Sequence, residues 1–423
     1  MTKAFQALLL AAAFTLVLMA PVQPGYAQEL AAAFTTKSLK LKVRRIPSAP
    51  GKEIVVSFGG DVNFARSRQN PLADTVVKFG RFPIERFTET LSAEWNGDVN
   101  FVNVETVVSE RNGATSAAKT FVFRSHPEQF RHLIKLGVNA FALANNHAYD
   151  HGRVGMIDTL DFFEGEDSKG NPLLYAGVGV GAAAFAPKII KVNGLKVAMA
   201  SASFGSGGFS PSDGTIGMAY TNAAHYRAVL DGLRRADADL KILSMHYGAE
   251  NVITLDGGQR ALFKRAVEEA GVHLVLGHHP HVVRAVEHDA ENGAAIFYSL
   301  GNLLFIGGAG KDTAALGRDY GLFGRAYFTQ TGEGMRLTAL EAVPLKGVHH
   351  IPRHPSANRA KAIIGHLNGL SRRSTNGPVQ FDVVNDVQPR GLACFAAEPF
   401  GPRARSVCCR GNDDLQCALP DLM

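Results

Sequence analysis

Seven side chains that carry oxygen or nitrogen donors stand at, or just past, the ends of short apolar runs. They are Asp61, Glu105, Asn146, His147, His246, His279 and His281. The runs are residues 54–58 before Gly59-Gly60-Asp61, 98–104 before Glu105, and 140–144 before Asn145-Asn146-His147. Residues 240–245 precede His246, and residues 272–276 precede Gly277-His278-His279-Pro280-His281. Carboxylate, amide and imidazole together suit a divalent transition metal such as Mn, Fe or Zn, because calcium takes oxygen alone. Two such ions bridged by a carboxylate can clamp a phosphoryl group and generate hydroxide from water. Each residue also has a plainer use. An Asp after Gly-Gly serves turns and caps, and Asn-Asn-His suits a turn with a left-handed asparagine. Glu105 fits a solvated loop acid, and His246 fits a satisfied core histidine. Three histidines directly after a strand are harder to explain without a ligand.

The elements that must hold these groups alternate. Apolar runs of strand length are separated by helical patterns over residues 127–136, 156–163 and 260–270. That alternation predicts an α/β domain, in which the loops at the carboxyl ends of the strands gather on one edge and bind ligands there. Asn193-Gly194 inside residues 188–202 predicts a hairpin. Residues 324–344 predict another around Gly332-Glu333-Gly334. Residues 204–217 are rich in Gly and Ser, which fits a surface loop or a mobile lid.

The chain has 423 residues, 46% of them hydrophobic, and a net charge of +6. Global disorder is excluded, and the charge is too diffuse for a nucleic-acid stripe. Residues 1–27 join a basic start, an apolar run and a small-residue end at Gly25-Tyr26-Ala27, as a secretory signal peptide does. An uncleaved anchor is the other reading of that run. Residues 28–50 form a basic lead-in, where residues 40–43 also fit a short edge strand. The mature protein is therefore expected in the periplasm or secreted, with no membrane span after cleavage. All four cysteines, Cys394, Cys408, Cys409 and Cys417, lie in the last thirty residues. An exported chain can oxidise them. Cys408 and Cys409 are adjacent, so bonds outward to Cys394 and Cys417 are favoured over a strained bond between them.

Several segments carry a family resemblance: Gly60-Asp61-Val62, Asn103-Val104-Glu105, Phe123-Arg124 with Pro127-Glu128, Leu143 to Asp150, His246-Tyr247-Gly248, Gly277 to His281, and Tyr298 to Asn302. In that order the chain resembles the CapA-type capsule synthesis proteins of poly-γ-glutamate biosynthesis, which are related to calcineurin-like metallophosphatases. The resemblance implies a metallophosphatase-like sandwich of two mixed sheets flanked by helices over residues 51–345, followed by a C-terminal extension with a Cys-containing tail over 346–423. It implies that Asp61 and His281 hold one metal, that Glu105 bridges, and that Asn146, His246 and His279 hold a second. Either His278 or His279 takes the first histidine role of the Gly-His-His-Pro-His segment. His147 would protonate a leaving oxygen, and Arg124 would bind a carboxylate or phosphate or serve in a surface ion pair. Asn63 stands where the phosphatases place a histidine, which weakens the first site. The implied functions are a metal-dependent hydrolase or transferase acting on an anionic polymer or small envelope substrate, a polymer-binding accessory of capsule synthesis or export machinery, or a general metallophosphoesterase.

Overall fold

The computed structural model describes residues 53–64, 84–111, 117–205, 208–306, 317, 319–385, 388–395 and 401–409. The signal-peptide segment, the lead-in and Cys417 lie outside these residues.

The first half of the chain gives β1 (Glu53–Asn63), α1 (Glu85–Ser92), β2 (Val99–Val104), β3 (Val107–Val108), β4 (Arg124–Ser125), α2 (Pro127–Lys135), β5 (Ala140–Ala142), α3 (Gly152–Asp167), β6 (Leu174–Ala176) and β7 (Val178–Val180). Next come β8 (Lys188–Val192), β9 (Leu195–Ser203), β10 (Ile216–Met218), α4 (Ala223–Arg235), β11 (Leu240–His246), α5 (Gly257–Ala270) and β12 (Leu274–His278). The chain continues through β13 (Val286–Asp289), β14 (Ala294–Phe297), β15 (Asn302–Phe305), β16 (Gly321–Thr331), β17 (Gly334–Leu345), α6 (Ala357–Ser374), β18 (Asp382–Asn385), β19 (Pro389–Cys394) and α7 (Pro402–Cys408).

Two large mixed sheets result. One has the order β18-β19-β17-β16-β1-β2-β5-β6, with β15 also on β1. The other has the order β13-β14-β12-β11-β9-β8. Ile54, Val56, Phe58 and Phe101 of the first pack against Val197, Met199, Ile242 and Leu276 of the second, so the main core lies between the sheets. The second sheet buries its other face, including Leu243, Met245 and Val275, under α4 and α5 through Tyr226, Leu230, Phe263 and Val267. Period-2 alternation explains this: Leu240 and Ile242 face one layer while Leu243 and Met245 face the other.

The sheets set up one functional edge. β1, β2 and β5 run parallel, as do β9, β11, β12 and β14. Their carboxyl ends meet. The expected hairpin at Asn193-Gly194 is present, with φ of 51° and 84°. Local signals also worked at helix starts. Pro127 opens α2 behind a His126–Gln129 capping box, and Asp256 caps α5 by accepting from the Gln259 N–H at 2.8 Å.

Two features differ from expectation. β1 is longer than its apolar run and continues through Asp61, with a register shift between Phe58 and Asp61. Gly60 permits this, because a Cβ there would sit 1.8 Å from the Gly301 carbonyl oxygen. The second difference lies after residue 345. β19 pairs with β17 and β18 with β19, so this segment extends the first sheet rather than standing apart as a tail. Buried Glu53 accepts from Arg403 Nε at 2.9 Å and from the Ala404 N–H at 2.9 Å, which docks α7 on the start of β1.

The disulfide Cys394–Cys408 is formed, and Cys409 is also disulfide-bonded. Replacing Cys394 and Cys408 by Ala is expected to lower the unfolding free energy by about 3 kcal/mol, from the loop-closure entropy of so short a loop. A lower urea midpoint would register it.

Candidate metal centre

The bulge before Asp61 aims its carboxylate at the shared edge. Asp61 Oδ1 accepts from Asn103 Nδ2 at 2.8 Å and lies 3.1 Å from His278 Nδ1. Glu105 follows β2, with its N–H donating to the Val62 carbonyl oxygen at 3.0 Å. Its Oε1 lies 3.6 Å from His281 Nε2, 3.7 Å from His246 Nε2 and 4.0 Å from His147 Nε2. His246 Nε2 is 2.9 Å from Asn146 Oδ1, and His281 Nδ1 is 3.5 Å from Asp61 Oδ2. Residues at the ends of β1, β5, β11 and β12 therefore gather around the one carboxylate that follows β2.

His278 and His279 take different places. His278 ends β12, pairs in register with His246, and turns Nδ1 onto Asp61. His279 leaves the strand with φ of 92° and gathers with Glu105 and His246, their ligand atoms all within 4.8 Å of one another. Asp61, Glu105 and His281 form a second group by the same measure. Glu105 belongs to both.

Electrostatics point the same way. Asp61 and Glu105 are wholly buried, and among the described residues both Glu105 oxygens and Asp61 Oδ2 have no hydrogen-bond partner. Burial and then the Asp61 charge push the Glu105 carboxyl well above its usual range. Burial also works upward on Asp61, but His278 and His281 outweigh it and hold that carboxyl low. Burial, then His279, keeps His246 far below the usual imidazole value. His279 is pushed down to about 3 by burial and by His281. The neutral imidazoles of His246 and His279 beside two buried carboxyl groups form a donor set that a divalent cation would satisfy, and without one such buried acids are costly. The residues fit such an ion.

Support residues that the sequence reading did not assign complete the site. Asp150 Oδ2 accepts from His147 Nδ1 at 2.7 Å and from the Phe123 N–H at 2.6 Å, which turns His147 Nε2 toward Glu105. Lys119 pairs with Asp150 and donates to the Asn146 carbonyl oxygen at 2.7 Å. His281 Nδ1 donates to Asn302 Oδ1 at 2.8 Å, leaving Nε2 for the site. The signal available for Asp150 was its spacing of three after His147; Lys119 offered none. Arg124 lies on β4, and its guanidinium donates to the Arg111 carbonyl oxygen at 2.6 Å. Asn63 is buried next to Val62 at the end of β1. The Gly/Ser-rich loop brings Phe209 onto Tyr149, with ring centroids 4.7 Å apart.

A family model described as bacterial capsule synthesis protein PGA_cap matches residues 55–306, which include every residue of this cluster. The chain belongs to that family. The PGA biosynthesis protein CapA of Bacillus subtilis (strain 168) is 28% identical over 272 residues, covering 63% of this chain and 67% of the relative. The capsule biosynthesis protein CapA of Bacillus anthracis is 28% identical over 204 residues, covering 47% of this chain and 48% of the relative. The chain thus spans about half the length of that second relative. A solved calcineurin-like phosphoesterase, YfkN of Bacillus subtilis, covers 74% of this chain and 98% of its own at 12% identity, with a TM-score of 0.37. At that score the sandwich rests on its own sheets.

Proposed function

We propose that this family member is an exported, divalent-metal-dependent hydrolase or transferase that acts on an anionic polymer or small envelope substrate in capsule or poly-γ-glutamate metabolism. The observation that carries this is Glu105: buried, without a hydrogen-bond partner at either oxygen among the described residues, and shared by two ligand groups. Asp61 and His281 would hold one ion, His246, His279 and Asn146 a second, with Glu105 between them. An ion of the Mn, Fe or Zn class held there supplies Lewis acidity toward a phosphoryl or carbonyl oxygen. His278 positions Asp61. Asp150 keeps the His147 proton on Nδ1, so that Nε2 can exchange a proton with a substrate atom. Phe123, Phe204 and Phe305 pack on His147, His279 and His281 at centroid distances of 4.1, 4.4 and 5.1 Å and restrict water around them. Export is supported by the leader-like residues 1–27 and by the Cys394–Cys408 disulfide. Among the described residues, no helix is long and apolar enough to cross a membrane.

The test is metal content of the purified mature chain together with an activity screen. Retained transition metal with turnover of a polymer or envelope substrate supports the proposal. Turnover confined to phosphate esters would make it a general phosphoesterase, metal-independent polymer binding without turnover would make it an accessory protein, and an absence of bound metal would overturn the metal centre. Asp150→Asn is expected to lower turnover about 100-fold while leaving metal content unchanged, because it reorients His147 without removing a ligand. Steady-state kinetics with elemental analysis checks it.

A further inference from the structure

The ligand groups above leave one nearby carboxylate without a role. Glu250, on the loop after β11, is solvent-exposed, yet a carboxylate oxygen of it lies within 4.8 Å of ring nitrogens of both His279 and His281. An exposed glutamate usually sits on a backbone that nothing in particular restrains. This one is clamped on both sides. Arg284, only 1% exposed, donates from Nη2 to the Ala249 carbonyl oxygen at 2.9 Å and from Nε to the Val252 carbonyl oxygen at 2.8 Å. Its Nη1 bonds Gln259 Oε1, and Gln259 Nε2 in turn donates to the Tyr247 carbonyl oxygen at 3.1 Å. The Asn251 N–H donates to the Pro280 carbonyl oxygen at 2.8 Å, tying this loop to the histidine loop.

The clamp is expensive. Arg284 is buried with its nearest carboxylate, Asp256, at 4.0 Å. Gly248 and Asn251 adopt φ of 122° and 59°, and His279 and His281 adopt 92° and 54°. Side chains other than glycine rarely accept such angles, and strain of this kind concentrates at functional sites. At Gly248 a Cβ would also lie 2.7 Å from Arg284 Nη1. All of this restraint falls on the residues flanking Glu250. Its own side chain makes no hydrogen bond or ion pair among the described residues, so it is presented to whatever enters the site.

We propose that Glu250 is a specificity-determining residue that turns the site away from phosphate dianions and toward neutral groups bearing an N–H, which are amides. This rests on the metal-centre reading above. A carboxylate is an acceptor with no proton to give, so it can receive an amide N–H but repels a doubly charged phosphoryl group at the same place. Sites built for phosphoryl groups surround them with cations and donors. A built-in repulsive group discriminates between the two classes as effectively as a new attraction does.

The experiment loads the purified full-length protein with Mn and measures Mn content and inorganic phosphate binding by calorimetry, in wild type, Glu250→Gln and Glu250→Asp. Glu250→Gln is expected to keep its Mn and to bind phosphate about tenfold more tightly. Glu250→Asp keeps the charge and is expected to bind phosphate as weakly as wild type. Equal phosphate affinity in wild type and Glu250→Gln overturns the proposal, as does Glu250→Asp matching Glu250→Gln. Loss of Mn from Glu250→Gln also overturns it, by making Glu250 a ligand. A wild type that takes up no Mn overturns the metal centre and this inference together, whereas a Mn-loaded wild type that fails the phosphate comparison overturns this inference alone.

Discussion

Glu105→Gln is expected to abolish the stabilisation that added Mn or Zn gives the wild-type protein. The substitution removes the one carboxylate common to both ligand groups, and a loss of at least about 100-fold in metal affinity is the floor set by losses at mere support residues. Thermal unfolding with and without chelator should show a large metal-dependent shift in wild type and almost none in the variant. The metal-free proteins should differ in the opposite sense. Burial and Asp61 raise the Glu105 carboxyl in the folded state, so the folded wild type binds a proton more tightly than the unfolded chain does. As pH rises from the unfolded glutamate value toward the raised folded one, metal-free wild type must lose stability relative to Glu105→Gln. The slope is about 1.4 kcal/mol per pH unit. Urea unfolding of both chelated proteins between pH 5 and 7 measures this difference. A constant difference across that window would mean that Glu105 stays ionised and is satisfied by something other than a metal.

Arg325→Met is expected to destabilise the fold by about 3–5 kcal/mol, far from the metal centre. Arg325 is buried in β16 and donates to Glu341 Oε2 at 2.8 Å, to Asn96 Oδ1 at 2.7 Å and to the Glu94 carbonyl oxygen at 2.9 Å, and it pairs with the Glu94 carboxylate. Removing it leaves the buried Glu94 and Glu341 carboxylates to share Arg390, at 3.8 and 3.4 Å. Burial works to raise the Glu94 carboxyl, but Arg325, His354 and Arg390 overcome it and hold that carboxyl well below its usual range. A depressed carboxyl contributes stability above its unfolded value, and that contribution is lost as pH falls toward the folded one. The deficit of Arg325→Met should therefore be full at pH 7 and shrink below about pH 4.5, where the Glu94 carboxylate of the variant protonates. Urea midpoints at pH 7 and pH 4 test this. Adding Glu94→Gln to the variant should recover part of the loss, because one buried carboxylate is neutralised while Glu341 keeps Arg390 at 3.4 Å.

The sequence alone determined the strands and the edge they share. Apolar runs of strand length, each closed by a donor residue, could only become strands whose ends carry those donors, and the parallel α/β pattern brings such ends to one side. Asp61, Glu105, Asn146, His147, His246 and His281 were legible on that ground, as were the Asn193-Gly194 hairpin and the start of α2, where local chemistry dominates. The tertiary structure alone decided where His278 and His279 each sit. Neighbouring residues at a strand end point to opposite sides, and the choice depended on where β12 stops pairing with β11 and on a positive φ that no local signal announces. It also brought in Lys119, Asp150 and Arg284, whose partners lie close in space but mostly distant along the chain, and it built β18 and β19 into the first sheet. The reason is common to these cases. Periodicity reports which face of an element is apolar, whereas contacts between elements depend on register and loop conformation, which are set only once both sheets have packed.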